Sequence, residues 1–209
     1  MTPELQRQST RLFIALEYGE QLAKDCALRQ VSMFEDSRAK RFLKMQAKQE
    51  SFHANFFSKA ADFLSEKHHY KAPVSLLKFR AKLDSALTRG DLIESLIGQQ
   101  IVLEGFGEQI LMRLNKSMDM HGVGFNRMRE LLLKQEQSHQ SFGDKTLLKL
   151  VSTDYTSRLR VQVLVDEYMH IIESIVYEMS DVFVSLDADA DNYINGVKNS
   201  IPDWFYSVE

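Results

Sequence analysis

A single cysteine, Cys26, stands in 209 residues. One thiol closes no intrachain disulfide and builds no multi-cysteine metal site, and it fits a reducing cytosol. Proline occurs three times (Pro3, Pro73, Pro202) and glycine nine times. So few breakers leave room for long uninterrupted helices. No stretch approaches the roughly 18 consecutive apolar residues of a membrane span. An excess of positive charge is missing too: 26 Lys and Arg face 29 Asp and Glu, for a net charge of −3. A nucleic-acid binder would concentrate basic residues on one surface. The opening MTPELQRQSTRLF lacks the basic-then-apolar layout of a secretory leader, so a cytoplasmic protein is the expectation. Apolar residues make up 44% and charged residues 26%, an ordinary globular balance.

What is present is helical periodicity. Leu5, Leu12, Phe13, Leu16, Leu22 and Leu28 recur at helical spacings and predict a first helix from about Glu4 to Arg29. Ser32-Met33-Phe34-Glu35 fits a capping box and predicts a second helix from Ser32 to about His68. Asp91-Leu92-Ile93-Glu94, after Gly90, predicts a third that runs to about Lys116. A turn follows at Met118–Gly124, then a fourth helix from about Asn126 to Val151. A fifth, apolar and free of Gly and Pro, is expected from about Tyr155 to Leu186. Between helices two and three, residues 71–90 read as a crossover with a short helix from about Val74 to Leu87. The tail from Asp187 to Glu209 is polar and ends in Trp204-Phe205-Tyr206, which is expected to dock on the body.

The chain repeats itself at a period near 87. Leu16-Glu17-Tyr18-Gly19-Glu20-Gln21 returns as Leu103-Glu104-Gly105-Phe106-Gly107-Glu108-Gln109, and Lys48-Gln49-Glu50-Ser51-Phe52-His53 returns as Lys134-Gln135-Glu136-Gln137-Ser138-His139. Each half is a helix with a Glu followed by a helix with Glu-x-x-His. In an antiparallel pair, residues equidistant from the turn lie at equal height, which pairs Glu17 with Glu50 and Glu104 with Glu136. Residues three apart share a helix face, so each Glu-x-x-His points its two side chains one way. Isolated buried carboxylates are costly. Four of them with two imidazoles converge sensibly on cations, and oxygen-rich ligation with two histidines suits iron or manganese. The chain holds 15 Glu and 6 His and four Glu-x-x-His pairs, at Glu50, Glu66, Glu136 and Glu167, where chance gives about 0.4. The paired context singles out Glu50 and Glu136.

On these residues the chain resembles the ferritin-like di-iron carboxylate proteins, four-helix bundles with one Glu from each of two helices and Glu-x-x-His from the other two. The resemblance covers about residues 5–152. It implies an all-α bundle with a long crossover and an added C-terminal helix, so that residues 1–152 form the bundle and 153–209 pack on it. Carried over residue by residue, it implies Glu17, Glu50, His53, Glu104, Glu136 and His139 as ligands of two iron ions, with manganese or a mixed pair as variants. Glu20 and Glu108 lie one turn from Glu17 and Glu104 and are the competing candidates, or carboxylates that shift onto the metal.

Other residues weigh less. Gly19, Gly105 and Gly107 are either tolerated helix glycines or deliberate space beside the metals. Tyr18 follows a ligand and reads as core before redox partner. Glu66-Lys67-His68-His69 reads as a solvated helix end. Asp166, Glu167, His170 and Glu173 read as surface, with His170 as an outer partner of the cluster in the sharper reading. Asp187-Ala188-Asp189-Ala190-Asp191 resembles the start of a calcium loop, but Asn192 and Lys198 stand where Gly and Glu are needed. The expected function is an O2-activating oxidase or oxygenase of a small organic substrate, served by an electron-donor protein and monomeric or homodimeric. Its rival is an iron or peroxide handler: ferroxidase, storage subunit, peroxidase or manganese catalase.

Overall fold

Two long helices open the chain and lie antiparallel, joined by one tight turn. α1 spans Pro3–Gln30 and α2 spans Ser37–Leu64, with a 3-10 turn at Val31–Met33 between them. The computed structural model describes residues 2–64, 70–120, 126–152, 155–185 and 189–206. α1 starts where Thr2 Oγ1 accepts the Leu5 amide and Pro3 takes the first helical position, whose N–H needs no partner. Its inward stripe is Leu12, Leu16, Glu20, Ala23 and Ala27, spaced three and four apart. On α2 the matching stripe is Leu43, Ala47, Glu50, His53, Phe57 and Ala61. Polar site residues therefore sit in phase with the apolar core on both helices.

The Ser32 capping box does not form. Ser32 lies in the 3-10 turn and its hydroxyl donates to the Arg29 carbonyl. α2 begins later, where Asp36 Oδ1 accepts the Arg38 amide. The crossover helix is α3, Val74–Thr88. It ends in a Schellman closure: Asp91 N–H reaches Ala86 O, Gly90 N–H reaches Leu87 O, and Gly90 takes φ 70°. Asp91 then caps the next helix through the Glu94 amide as expected.

The third long helix is not uniform. α4 (Leu92–Leu96) passes into a π segment, Ile97–Leu103, and then into α5 (Glu104–Met120). All seven π residues are buried. α6 spans Asn126–Val151, with the bounds that its periodicity predicts. Met118–Met120, expected to open the turn, are still the end of α5; residues 121–124 of that turn lie outside the described residues, as do 125 and 65–69 with Glu66-Lys67-His68-His69.

The expected fifth helix is interrupted. α7 (Tyr155–Glu178) stops at Met179, and α8 (Ser180–Ser185) follows. No breaker marks this point; its neighbours are pulled apart by different partners. Glu178 caps α3 by accepting the Val74 and Ser75 amides at 2.7 and 2.8 Å, and Asp181 takes Arg11 and Gln8 of α1. The tail is also more ordered than its polarity suggests. Asp189 caps α9, Ala190–Ser200, which buries Tyr193, Ile194 and Val197. Phe205 is buried, and the Trp204 indole donates to Asp144 of α6.

α1, α2, the π–α5 run and α6 make the four-helix bundle. α3 packs on α1 and α7, and α7 covers the π segment. Among the described residues no strand occurs, and no helix is long and apolar enough to cross a membrane.

Candidate metal centre

Four helices deliver the cluster: Glu20 from α1, Glu50 and His53 from α2, Glu104 from the start of α5, and Glu136 and His139 from α6. Ligand atoms of Glu20, Glu50, His53 and Glu136 lie within 4.8 Å of one another, and so do those of Glu50, Glu104, Glu136 and His139. Glu50 and Glu136 are common to both groups. Glu50 reaches His53 Nδ1 through one oxygen and His139 Nδ1 through the other, each at 3.0 Å. Glu20 meets His53 Nδ1 at 3.3 Å, and Glu104 meets His139 Nδ1 at 3.3 Å. Glu136 adds a third oxygen beside His53, also at 3.3 Å.

The structure thus gathers five of the six expected residues and replaces the sixth. Glu17 stays outside the cluster, where its carboxylate accepts from Gln21. Glu20 takes the place because it is in phase with Leu12, Leu16 and Ala23, whereas Glu17 sits at the edge of the stripe. Glu108 is buried but pairs with Gln137. Tyr18 lies under the Arg80 guanidinium, 5.6 Å from its ring centre. His170 is a surface residue, 84% exposed at its side chain, next to Glu173. Of the three glycines, Gly19 and Gly107 border the cluster, while Gly105 packs on Ser200 and Gln140.

A reciprocal pair of glutamines completes the geometry. Gln135, just before Glu136, accepts from His53 Nε2 at 2.8 Å; Gln49, just before Glu50, accepts from His139 Nε2 at 2.9 Å. An amide oxygen only accepts, so Nε2 carries the proton and Nδ1 is the nitrogen offered to the cluster. This is the tautomer-fixing contact of metal-bound histidine. The shared Lys-Gln-Glu of the two halves was its sequence signal.

The donor set fits cations on its own chemistry. A neutral imidazole protonated at Nε2 has only a lone pair at Nδ1, yet His53 Nδ1 faces three carboxylate oxygens. Both oxygens of Glu50 and one of Glu136 are buried without a well-aligned hydrogen bond. Burial and the neighbouring carboxylates push Glu20 and Glu136 well above the usual carboxylate range. Burial also opposes ionised Glu50, but its two imidazoles outweigh that and draw it down to about 2. For the histidines burial works downward; the carboxylates prevail, raising His53 and bringing His139 up to about 11. Two divalent cations would balance four carboxylates, and two imidazoles with four carboxylates suit iron.

The cluster floors a cavity. Glu20, Glu104 and Glu136 line one end, and Leu12, Leu16, Phe106, Ile110, Met179 and Phe183 line the rest. It measures about 560 Å³ including the part open to solvent, within the range of small-molecule sites.

No family model matches the chain, and no curated protein matches it by sequence. Among solved structures it is similar to a Synechococcus protein described as protein 19 with aldehyde deformylating oxidase activity. The TM-score is 0.86 over 100% of this chain and 93% of that one, at 13% sequence identity. At that identity the likeness shows the fold alone, an all-α, ferritin-like bundle; the carboxylate–histidine cluster is seen in this chain's own geometry, as groups that could hold a metal ion.

Proposed function

We propose that this protein is an O2-dependent di-iron oxidase of a small, largely apolar organic substrate. Its ligands are Glu20, Glu50, His53, Glu104, Glu136 and His139. The observation that carries the reading is the joining of the two features: the carboxylate–histidine cluster opens directly onto a cavity walled by apolar side chains. A storage or ferroxidase site needs a polar path for iron, and these walls do not offer one.

Bound iron would supply the electrons for O2 reduction and the oxidising power toward substrate. The rest is the work of the chain. Gln49 and Gln135 hold the imidazoles with Nδ1 inward. Leu16, Phe106 and Ile110 keep water from the reacting end. A Cβ on Gly19 would meet nothing within 4 Å and one on Gly107 would meet only Glu136, so both glycines leave room beside the metals. The fold neighbour's activity on an aldehyde makes apolar aldehydes the first substrate class to try. A separate electron-donor protein, a monomeric or dimeric state and a cytoplasmic setting belong to the same proposal.

The test is anaerobic loading with ferrous iron, then O2 with and without a graded series of saturated aldehydes. About two iron ions per chain are expected, with substrate-dependent O2 consumption and an oxidised organic product. Iron uptake far beyond two per chain, with O2 consumption indifferent to any organic molecule, would replace this reading by iron storage.

A further inference from the structure

The two ends of the cluster are held differently. Glu104 Oε1 accepts Gln46 Nε2 at 2.7 Å and Gln99 Nε2 at 3.5 Å, which leaves Oε2 aimed at His139. Gln46 is fixed in turn: its oxygen accepts from Gln100, which also reaches Gln30, and Gln30 donates to Ser95. Gln99 is pinned to the Ala23 carbonyl at 3.0 Å. All four glutamines are 0% exposed. Burying four amides is costly unless their bonds are kept; the Gln99 and Gln100 oxygens are buried without a partner among the described residues, while Gln46 and Gln99 donate to one oxygen of one carboxylate and Gln100 holds Gln46. Gln99 and Gln100 lie in the π segment, all of whose residues are buried.

Glu20 has no such support. Among the described residues its carboxylate meets His53 and no amide or hydroxyl donor. Its side chain is 10% exposed against 2% for Glu104, and the space beside neighbouring Gly19 is open. A metal binding here must order a carboxylate that the protein leaves free. At the other end that ordering is already done.

We propose that the two metal positions are unequal, that Glu104 and His139 form the tight one and Glu20 and His53 the exchangeable one, and that Gln46 is the positioning residue responsible. This rests on the reading that the cluster binds two metals. Two neighbouring dications repel, so even equal sites would fill in two steps; only variants assign the steps to positions.

The experiment is a titration of the metal-free, full-length chain with Mn(II) under anaerobic conditions, reading free Mn(II) by electron paramagnetic resonance. Wild type should bind two equivalents in two steps. Glu20→Gln should keep the first step within about threefold and lose the second, whereas Glu104→Gln should weaken the first step by about tenfold or more. Gln46→Met, nearly isosteric but without a donor, should weaken the first step by about 10–100-fold and leave the second unchanged. A merely structural role for Gln46 would weaken both alike. If Gln46→Met does not fold, the Glu20→Gln and Glu104→Gln pair still decides the assignment. Equal loss in those two variants, or loss of the tight step in Glu20→Gln, overturns the inequality and leaves the two-metal reading standing. A wild-type chain that binds no metal overturns both.

Discussion

In the α1–α2 hairpin both helices run unbroken through the cluster, and the polar side chains simply occupy the places that the apolar stripe assigns. In the α5–α6 hairpin the helix reaches Glu104 through a π segment that contributes Gln99 and Gln100 to a buried glutamine cluster completed by Gln30 of α1 and Gln46 of α2. The same sequence repeat underlies both. Yet the partner of Glu104 across the cluster is Glu20, and the repeat aligns it with Glu17. A π segment winds with i→i+5 bonds, so it shifts the phase of everything that follows it. Sequence similarity between two halves therefore transfers motif content and fails to transfer helix phase where one half carries such an insertion.

The largest effect expected is at the residue that the two halves share. Glu50→Ala removes the carboxylate that touches both imidazoles. Metal affinity should fall by more than about 100-fold at both positions, so elemental analysis should find almost no iron. Retention of one equivalent would mean that Glu50 belongs to one half only.

The next effect is a pH dependence, and it belongs to the metal-free state. His139 is raised from 6.5 to about 11, and His53 is raised as well. The folded chain thus keeps protons that the unfolded chain releases above pH 6.5, and the stability present below that value is lost as pH rises toward 11. Glu20 and Glu136, also raised, act in the same direction above the ordinary 4.5. Glu50, lowered to about 2, contributes stability above 4.5 that is lost as pH falls through 2. Metal-free protein should be most stable near about pH 5, with an unfolding free energy that drops toward pH 8 by up to about 1.4 kcal/mol per pH unit for each proton retained, read as a falling melting temperature. Metal displaces these protons, so the rise in melting temperature on adding Mn(II) should grow from about pH 5 to about pH 8. A metal-induced rise that shrinks over this range would contradict the protonated cluster.

A smaller effect probes the π side alone. A Cβ on Gly143 of α6 would lie 2.3 Å from Gln100 Cβ, too near the backbone for a rotamer change to relieve. Gly143→Ala should cost about 1–3 kcal/mol, measurable by denaturant midpoint, and should loosen the glutamines that hold Glu104. A neutral outcome would show that α6 and the π segment separate easily.

Most of the bundle was legible in the sequence. α6 has the predicted bounds, α1 and α3 differ by a residue or so, and both Glu-x-x-His pairs reach the cluster, because helical spacing reports directly on which face is buried. Besides the Ser32 cap and the tail helix, three things that bear on the site and its cover were not legible. Glu17 and Glu20 differ by only about 4.5 Å along the axis, so equal height across the hairpin was too coarse a guide; the phase of Leu12, Leu16 and Ala23 was the better one. The π segment carries no local signal, for Ile97–Leu103 reads as ordinary buried helix. The interruption at Met179 is set by Arg11 and the α3 amides, distant in sequence.

The smallest expected effect reverses the sign of the Gly143 one. Gly19 lies on the regular half, and a Cβ there would meet nothing within 4 Å. Gly19→Ala should therefore stabilise α1 by about 0.5–1 kcal/mol, the usual gain of Ala over Gly inside a helix, or a rise of about 1–4 °C in melting temperature. The added methyl points into the cavity beside Glu20. If that space is for substrate, the more stable variant should keep two metals per chain and bind the bulkier aldehydes less well. Unchanged binding across the aldehyde series would mean that the space beside Glu20 is not where substrate lies.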